Sequence, residues 1–170
     1  MKKTIITTLV LIAVPMMALA QMKIATVDVQ SVFNAMPEAK DAAVELDNYS
    51  KQLNSEYEMM QAEFNKKYAD YQTIAGDAST PATIKDRRVR EIQESDREID
   101  KFLASSRESI QARKAALESP IYDKINSAIK QVGDAGGYTY IIDVSVTPVA
   151  YSGSGAIDVT GQVKALLGAQ

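Results

Sequence analysis

The chain contains no Cys, no His and no Trp among its 170 residues. The lack of Cys and His excludes disulfides, thiol and imidazole catalysts and nearly all zinc sites. The sequence also lacks the Gly-x-x-x-x-Gly-Lys-Ser/Thr pattern that forms a phosphate loop for a nucleoside triphosphate. We therefore predict a protein that is not an enzyme, binds no metal, needs no cofactor and works without ATP.

An excess of positive charge is also lacking. Lys and Arg total 19, Asp and Glu total 22, and the formal net charge is −3. A chain that mainly coats nucleic acid needs a dominant positive field. We therefore predict that this protein has no nucleic-acid partner.

The first twenty residues have the layout of a secretory signal. Two lysines come before an apolar run over residues 5–19, and the small residues Ala18 and Ala20 precede Gln21. The apolar run is shorter than the roughly 20 residues that span a bilayer, although an uncleaved membrane anchor is the alternative. We predict a signal peptide over residues 1–20 that is cleaved after export, which means a periplasmic location in a Gram-negative bacterium.

Two long stretches with helical periodicity follow. Residues 39–75 contain no Gly or Pro, and their apolar residues recur after three or four positions and again after eleven. An eleven-residue repeat predicts a long helix whose supercoil is nearly straight or weakly right-handed. A similar apolar stripe covers residues 82–132, where Pro120 predicts a kink or a break near Ser119.

A short turn separates these two helices. Residues 76–81 include Gly76, which suits a helix C-cap, Thr80, which suits an N-cap, and Pro81, which suits a first helical turn. A connection of this length makes the helices antiparallel neighbours. The sequence therefore predicts a helical hairpin, and the dense charge beyond residue 85 predicts that its far end projects into water.

Segments with strand character flank the hairpin. Residues 22–29 alternate and are rich in β-branched types, with Ser31 as an N-cap just after them, and residues 138–144 and 149–151 also have strand character. Asp158 or Thr160 opens a last short helix, after the glycine-rich end of the second long helix at residues 133–137.

The predicted fold class is α+β, with a small β-containing body that associates with further copies and a long, antiparallel, coiled-coil-like helical hairpin as an arm. The body comprises residues 21–38 and 133–170 with flanking parts of the long helices, and the arm comprises residues 39–132 with its tip near 76–81. A sheet this small has unprotected edges, which association of several copies would cover. The residues predicted to build this assembly are Ile24, Val27, Val29, Tyr140, Ile141, Ile142, Val149 and Tyr151.

Aromatic and Met side chains are concentrated on the first long helix. They form either the seam that packs one helix on the other or a surface for unfolded polypeptides, because Met adapts its shape and Tyr combines an apolar ring with a polar tip. These candidate binding residues are Tyr57, Met59, Met60, Phe64, Tyr68 and Tyr71.

Basic side chains are concentrated near the predicted tip. They are either a solvated helix face or an electrostatic surface for anionic chains, lipid headgroups or lipopolysaccharide. The candidate residues are Lys66, Lys67, Lys85, Arg87, Arg88 and Arg90.

The order and spacing of several short motifs resemble the Skp/OmpH family of periplasmic chaperones. The motifs are Lys23–Asp28 with Phe33, residues 121–132, Gly137-Tyr138, Ile141–Asp143, Val149–Tyr151, and Asp158–Thr160 with Val163 and Leu167. The resemblance implies a homotrimer whose three arms enclose a cavity for unfolded outer-membrane β-barrel proteins. The best-known members are strongly basic, whereas this chain is net negative, so we expect apolar, Met and Tyr contacts to contribute more than charge.

A second functional hypothesis remains open at this stage. A long helical hairpin also suits a structural coiled-coil spacer or adaptor of the cell envelope, with one folded partner in place of unfolded clients. A continuous hydrophobic stripe would favour that role. The stripes in this sequence are sparse and interrupted by charge.

Overall fold

A computed structural model describes residues 22–169, and the predicted signal peptide over residues 1–20 lies outside them. In chain order the elements are β1 (Ile24–Val27), α1 (Val29–Ala35), α2 (Pro37–Ala75), α3 (Ala82–Gly136), β2 (Tyr140–Asp143), β3 (Ile157–Asp158) and α4 (Thr160–Leu167). Two long helices and a small sheet dominate this arrangement. The predicted α+β fold class is therefore confirmed.

The described part of the chain forms a three-stranded sheet with β1 at its centre. The strand order is β2-β1-β3, and both neighbours of β1 are parallel to it. Ile24 pairs with Tyr140 and Val27 with Asp143, while Ala25 pairs with Ile157. Parallel strands need a long crossover connection, and the helices α1 to α3 form the one between β1 and β2. The sheet thus joins the two ends of the hairpin.

The prediction of a strand at Val149–Tyr151 is wrong. That segment lies in the irregular connection between β2 and β3, and the third strand is Ile157–Asp158. The Asp143 carboxylate accepts hydrogen bonds from the Ser145 N–H and hydroxyl at 2.9 and 2.7 Å, which turns the chain away directly after β2. The chain returns to β1 at β3, where Ile157 pairs with Ala25 and the Val159 N–H donates to the Thr26 carbonyl at 2.9 Å.

The first strand is also shorter than predicted. It ends at Val27, and Val29, which was predicted in the strand, is the first residue of α1. Asp28 is the N-cap of α1, because its carboxylate accepts a hydrogen bond from the Ser31 N–H at 2.8 Å. Ser31, the predicted cap, lies inside the helix.

The long helices extend further than predicted. Pro37 takes the first position of α2, and Gly76 is its C-cap, as predicted. Thr80 does not cap α3, because its hydroxyl donates to the Asp77 carboxylate at 2.8 Å and Pro81 holds the cap position.

The second long helix is not broken at Pro120. It runs from Ala82 to Gly136, so the glycine-rich segment predicted to end it is helical up to Gly137. Ile121 and Ile125 directly after the proline are buried, and their packing offsets the hydrogen bond that Pro120 cannot make. Gly137 ends the helix with a φ of 62°, a conformation that favours glycine, and its N–H donates to the Asp134 carbonyl.

The hydrophobic core lies where the sheet meets the base of the hairpin. Its most deeply buried members come from β1, α1, α3 and α4, together with the residues that join them. They are Val27, Val32, Met36, Ile125, Val159 and Val163. Phe33 of α1 stacks on Tyr122 of α3 beside this core, with ring centroids 5.0 Å apart. Every element that contacts the sheet therefore contributes to one core.

Candidate functional site

Polar contacts set the register of the α2–α3 hairpin. Near the base, the Lys124 ammonium donates to the Glu38 carboxylate at 2.9 Å, and this hydrogen bond lowers the pKa of Glu38. Further out, Arg113 pairs with Glu45. Nearer the tip, the Lys67 ammonium donates to the Ser95 hydroxyl at 2.6 Å. Each step outward on α2 is matched by a similar step on α3, so the two helices are antiparallel along their length.

The seam between these helices is thinly packed outside the core. In the described stretch between residues 40 and 120, Ile99 is the one apolar side chain that is buried, together with Ser95 and Ser106. The other apolar residues of this stretch are at best half-buried. The hairpin therefore keeps much of its apolar surface accessible to water or to a partner.

The candidate polypeptide-binding residues divide into two groups. Tyr57, Met60, Phe64 and Tyr71 are half-buried in the hairpin. Met59 and Tyr68 are 65% and 48% exposed. The Tyr68 ring stacks on that of Phe64, with centroids 6.4 Å apart. The structure thus places members of this set both in the seam and on the open surface.

Most of the candidate basic residues have partners within the chain. The Lys85 ammonium donates to the carbonyls of Ala75 and Asp77 at 3.0 and 2.7 Å, where it stabilises the C-terminal end of α2. Lys67 pairs with Glu63 as well as Ser95.

A small ion-pair cluster neutralises two further cations. Arg88 and Arg87 lie 2.7 and 3.5 Å from the Glu91 carboxylate, and the hydrogen bond from Arg88 is the main reason that the pKa of Glu91 is lowered. Lys66 and Arg90 are exposed and make no ion pair within residues 22–169. Fewer of the candidate cations near the tip are therefore unpaired than the sequence suggested.

The turn at the hairpin tip is organised by Asp77. Its carboxylate accepts hydrogen bonds from the Ser79 hydroxyl and N–H at 2.7 and 2.8 Å and from the Thr80 hydroxyl at 2.8 Å. These bonds, that of the Ser79 hydroxyl first, lower the pKa of Asp77 to about 2. The role of Asp77 was not predicted from the sequence. An Asp that precedes a Ser by two residues and a Thr by three is nevertheless a signal for this type of turn.

One face of the sheet is apolar and open. The side chains of Ile24, Tyr140 and Ile142 are exposed, with Tyr140 at 57%. The alternate residues Ala25 and Val27 face the core instead. Since side chains alternate along a strand, β1 and β2 carry these apolar side chains toward solvent, on the face that they share with Thr26 and Asp158.

The other predicted assembly residues lie in several places. Val27 is buried in the core of its own chain, Ile141 packs against that core, and Val29 is half-buried in α1. Val149 and Tyr151, in the connection between β2 and β3, are exposed, Tyr151 at 86%. The structure therefore leaves Ile24, Tyr140, Ile142, Val149 and Tyr151 available for a second copy.

A groove opens between the two helices in the middle of the hairpin. It has a volume of about 350 Å³ and contains no carboxylate in its lining. The residues that line it from α2 are Ser50, Leu53, Asn54 and Tyr57, and those from α3 are Phe102, Leu103, Ser106, Arg107 and Ile110. This space lies between the two helices, because both contribute to its lining. Small side chains at Ser50 and Ser106 open that space.

Two further findings concern residues 22–169 as a whole. These residues contain no cluster of Asp and Glu that could hold a metal ion. None of the helices in this range combines the length and the apolar character that crossing a membrane requires.

The fold and its surfaces define a class of protein: an α+β body with a long helical hairpin, exposed apolar surface and a groove whose lining contains no carboxylate. The model of a family described as outer membrane protein (OmpH-like) matches residues 23–167. The chain belongs to this OmpH-like family, as the resemblance of its motifs implied.

Known proteins similar to this chain agree with that assignment. A protein named chaperone protein Skp from Photorhabdus luminescens is 30% identical over 78% of each chain. Its namesake from Yersinia enterocolitica is 30% identical over 84% of this chain and 86% of its own. The crystal structure of an OmpH-like outer membrane chaperone from Caulobacter crescentus has a TM-score of 0.71 and 16% identity, covers 87% of this chain and 85% of its own, and thereby supports the fold.

Proposed function

We propose that this protein is an ATP-independent holdase chaperone in the periplasm of a Gram-negative bacterium. A cleaved signal peptide directs its export to that compartment. Its proposed clients are outer-membrane β-barrel proteins before they fold. Such chains expose alternating apolar residues and unpaired strand edges to water, which makes them prone to aggregate. The names of the Photorhabdus and Yersinia relatives support a chaperone role.

The thinly packed hairpin is the observation that carries this proposal. Helix α2 has 39 residues and helix α3 has 55, which correspond to roughly 58 and 82 Å at 1.5 Å per residue. Over most of this length apolar side chains are half-buried or exposed. Many weak contacts along such a surface would retain an unfolded chain without imposing a structure on it. No step of this action requires a catalytic residue, a cofactor or nucleotide hydrolysis.

A homotrimer is the proposed assembly, with the bodies at its centre and three hairpins around a shared cavity. The open face of the sheet supports association, because Ile24, Tyr140 and Ile142 present a contiguous apolar surface. The number of copies is the one that family resemblance implies. Client contacts are proposed for the polypeptide-binding residues of α2 that remain accessible, above all Met59 and Tyr68.

Anionic lipid or lipopolysaccharide is proposed as a weak contact at most. Lys66 and Arg90 are the candidate cations that make no ion pair within the described chain, and they are both exposed. Exposed single charges contribute little in physiological salt.

The proposed function is tested by dilution of a urea-unfolded outer-membrane barrel protein into buffer with and without this protein. The holdase predicts that aggregation, followed by light scattering at 350 nm or a similar wavelength, stops at about one trimer per client. The envelope spacer predicts unchanged aggregation and one tight folded partner in pull-downs. Unchanged aggregation at a several-fold excess of trimer would therefore contradict the proposal.

A further inference from the structure

The eleven-residue repeat of the hairpin has a gap at Ser106. Positions 84, 95, 106 and 117 of α3 are equivalent in such a repeat, and Ile84 and Leu117 occupy two of them. Ser95 occupies the third, where the Lys67 ammonium reaches across from α2 and bonds to its hydroxyl. Ser106 has no such partner, so the seam is neither filled nor bridged at this point.

The hydroxyl of Ser106 marks unfinished packing. Ser106 is only 9% exposed, and its Oγ atom makes no hydrogen bond to any residue between 22 and 169. Buried hydroxyls without a partner are rare in folded proteins. Ser106 lies in the lining of the mid-hairpin groove, whose volume of about 350 Å³ is within the range of pockets that hold small organic groups.

The walls and the rim of the groove define what fits it. Leu53, Leu103 and Ile110 supply apolar walls, and Tyr57 and Phe102 supply rings against which another ring packs well. Arg107 lies at the rim, exposed, and pairs with no carboxylate in the described chain. A guanidinium in that place attracts a carboxylate and also the face of an aromatic ring.

We propose that this groove takes one aromatic side chain of an unfolded client, at a point where an acidic residue follows the aromatic one. The ring enters between the apolar walls, and the neighbouring carboxylate pairs with Arg107. This inference rests on the proposed holdase function and names the client feature that the hairpin selects. It adds an anchored contact to the many weak ones along the seam.

The test uses a short unstructured peptide with a single Trp followed by Asp. Because the protein has no Trp, all Trp emission comes from the peptide. Ser106→Leu fills the groove, and Ser105→Leu adds the same side chain at the exposed neighbouring position. We expect Ser106→Leu to weaken peptide binding by about tenfold, the loss that follows when a ring stays in water, while Ser105→Leu leaves it unchanged. Equal binding by the wild type and Ser106→Leu would overturn the proposal.

The charge requirement is tested by Arg107→Glu. This variant should prefer a peptide in which Lys follows the Trp, whereas the wild type prefers Asp. An identical preference in the two proteins would show that Arg107 does not read the neighbouring residue and would overturn the assignment.

A thiol footprint keeps the proposal testable if Ser106→Leu does not fold. Since the chain has no Cys, Asn54→Cys in the groove and Asn48→Cys on the exposed surface of α2 each carry a unique thiol. The Trp-Asp peptide should slow alkylation in Asn54→Cys alone. Equal rates with and without peptide in both variants would overturn the groove site.

The aggregation assay separates the two proposals. If the wild type suppresses barrel aggregation but Ser106→Leu folds and binds the peptide as well as the wild type, only the groove assignment is wrong. If the wild type does not suppress aggregation, the holdase function fails and the client assignment fails with it.

Discussion

Single residues hold the turn regions of this protein in place. Asp77 gathers the hydroxyls of Ser79 and Thr80 at the tip, and Lys85 bonds to the carbonyl groups that end α2. At the opposite end of the hairpin, Gly137 adopts a left-handed conformation that ends α3. These positions lie outside the hydrophobic core, so their effects are local and separable.

The first prediction concerns Asp77 and pH. Its folded pKa of about 2 lies below the ordinary value of 3.8, so its stabilising contribution is complete above about pH 4 and is lost as the pH falls through about 2. Asp77→Asn should therefore lower the hydrogen-exchange protection factors of residues 77–80 at neutral pH, and it should lack the loss of protection that we expect for the wild type as the pH falls below 4. Asp86→Asn, an exposed acid on α3, is the matched control. Identical exchange in Asp77→Asn and wild type would contradict the account.

The second prediction concerns the end of α3. Gly137→Ala should lower the free energy of unfolding in urea by about 1–2 kcal/mol, because a Cβ is strained at positive φ. Gly76→Ala is the control, since Gly76 has a φ of −88° and nothing within 4 Å of an added Cβ. It should be neutral or slightly stabilising. A loss of similar size in both variants would mean that backbone conformation is not the cause.

Among the elements, the two long helices are packed very differently along their length. The base of α3 is buried in the core, whereas its outer part has only Ile99 as a buried apolar side chain. Local stability should therefore fall from the body toward the tip. A surface that adapts to unfolded chains benefits from this gradient, because opening near the tip does not unfold the body.

The third prediction measures that gradient. Ile125→Ala removes a fully buried side chain and should cost about 2–5 kcal/mol of unfolding free energy. Ile84→Ala near the tip removes one that is 38% exposed, and we expect a cost below about 1 kcal/mol. Urea titrations followed by circular dichroism compare the two. Equal costs would show that the hairpin is as tightly packed at its tip as at its base.

The sequence predicted these elements unevenly, for physical reasons. The hairpin followed from periodicity, because dozens of residues repeat the same spacing and a single turn separates the two runs. The third strand could not be predicted from periodicity, because Ile157–Asp158 is too short to show an alternation. The segment at Val149–Tyr151 has more strand character and was predicted in its place. Pro120 predicted a kink or a break, and no break occurs, because Ile121 and Ile125 directly after it are packed in the core.

The candidate surfaces were predicted less completely than the fold. Tyr57, Met59 and Tyr68 were found by their chemistry, yet their different exposures depend on the register between helices. The mid-hairpin groove was missed because it arises from small residues on both helices, Ser50 and Ser106, which a single-helix pattern does not bring together. Fewer cations near the tip are unpaired than the sequence suggested, because two arginines form ion pairs with the Glu91 carboxylate.

At the scale of the whole molecule, charge has a small part in the proposed holding of clients. The chain is net negative, and most candidate cations near the tip have partners within it. The hairpins would therefore rely on apolar and aromatic surface. This distinguishes the protein from a chaperone that attracts its clients by positive charge.

The fourth prediction tests that distinction with salt. Raising the ionic strength to about 0.5 M shortens the Debye length to a few ångströms, which screens exposed charges but leaves apolar contacts intact. We expect binding of an unfolded barrel protein, measured by fluorescence anisotropy, to weaken by less than about threefold. A hundredfold loss would show that client binding is driven by charge.

The most direct test of the account is the mass of the protein in solution, measured by multi-angle light scattering, alone and with an unfolded outer-membrane barrel protein. The account predicts a trimer that gains the mass of one client and remains soluble. A monomer, or a trimer whose mass does not change when the client is added, would contradict it.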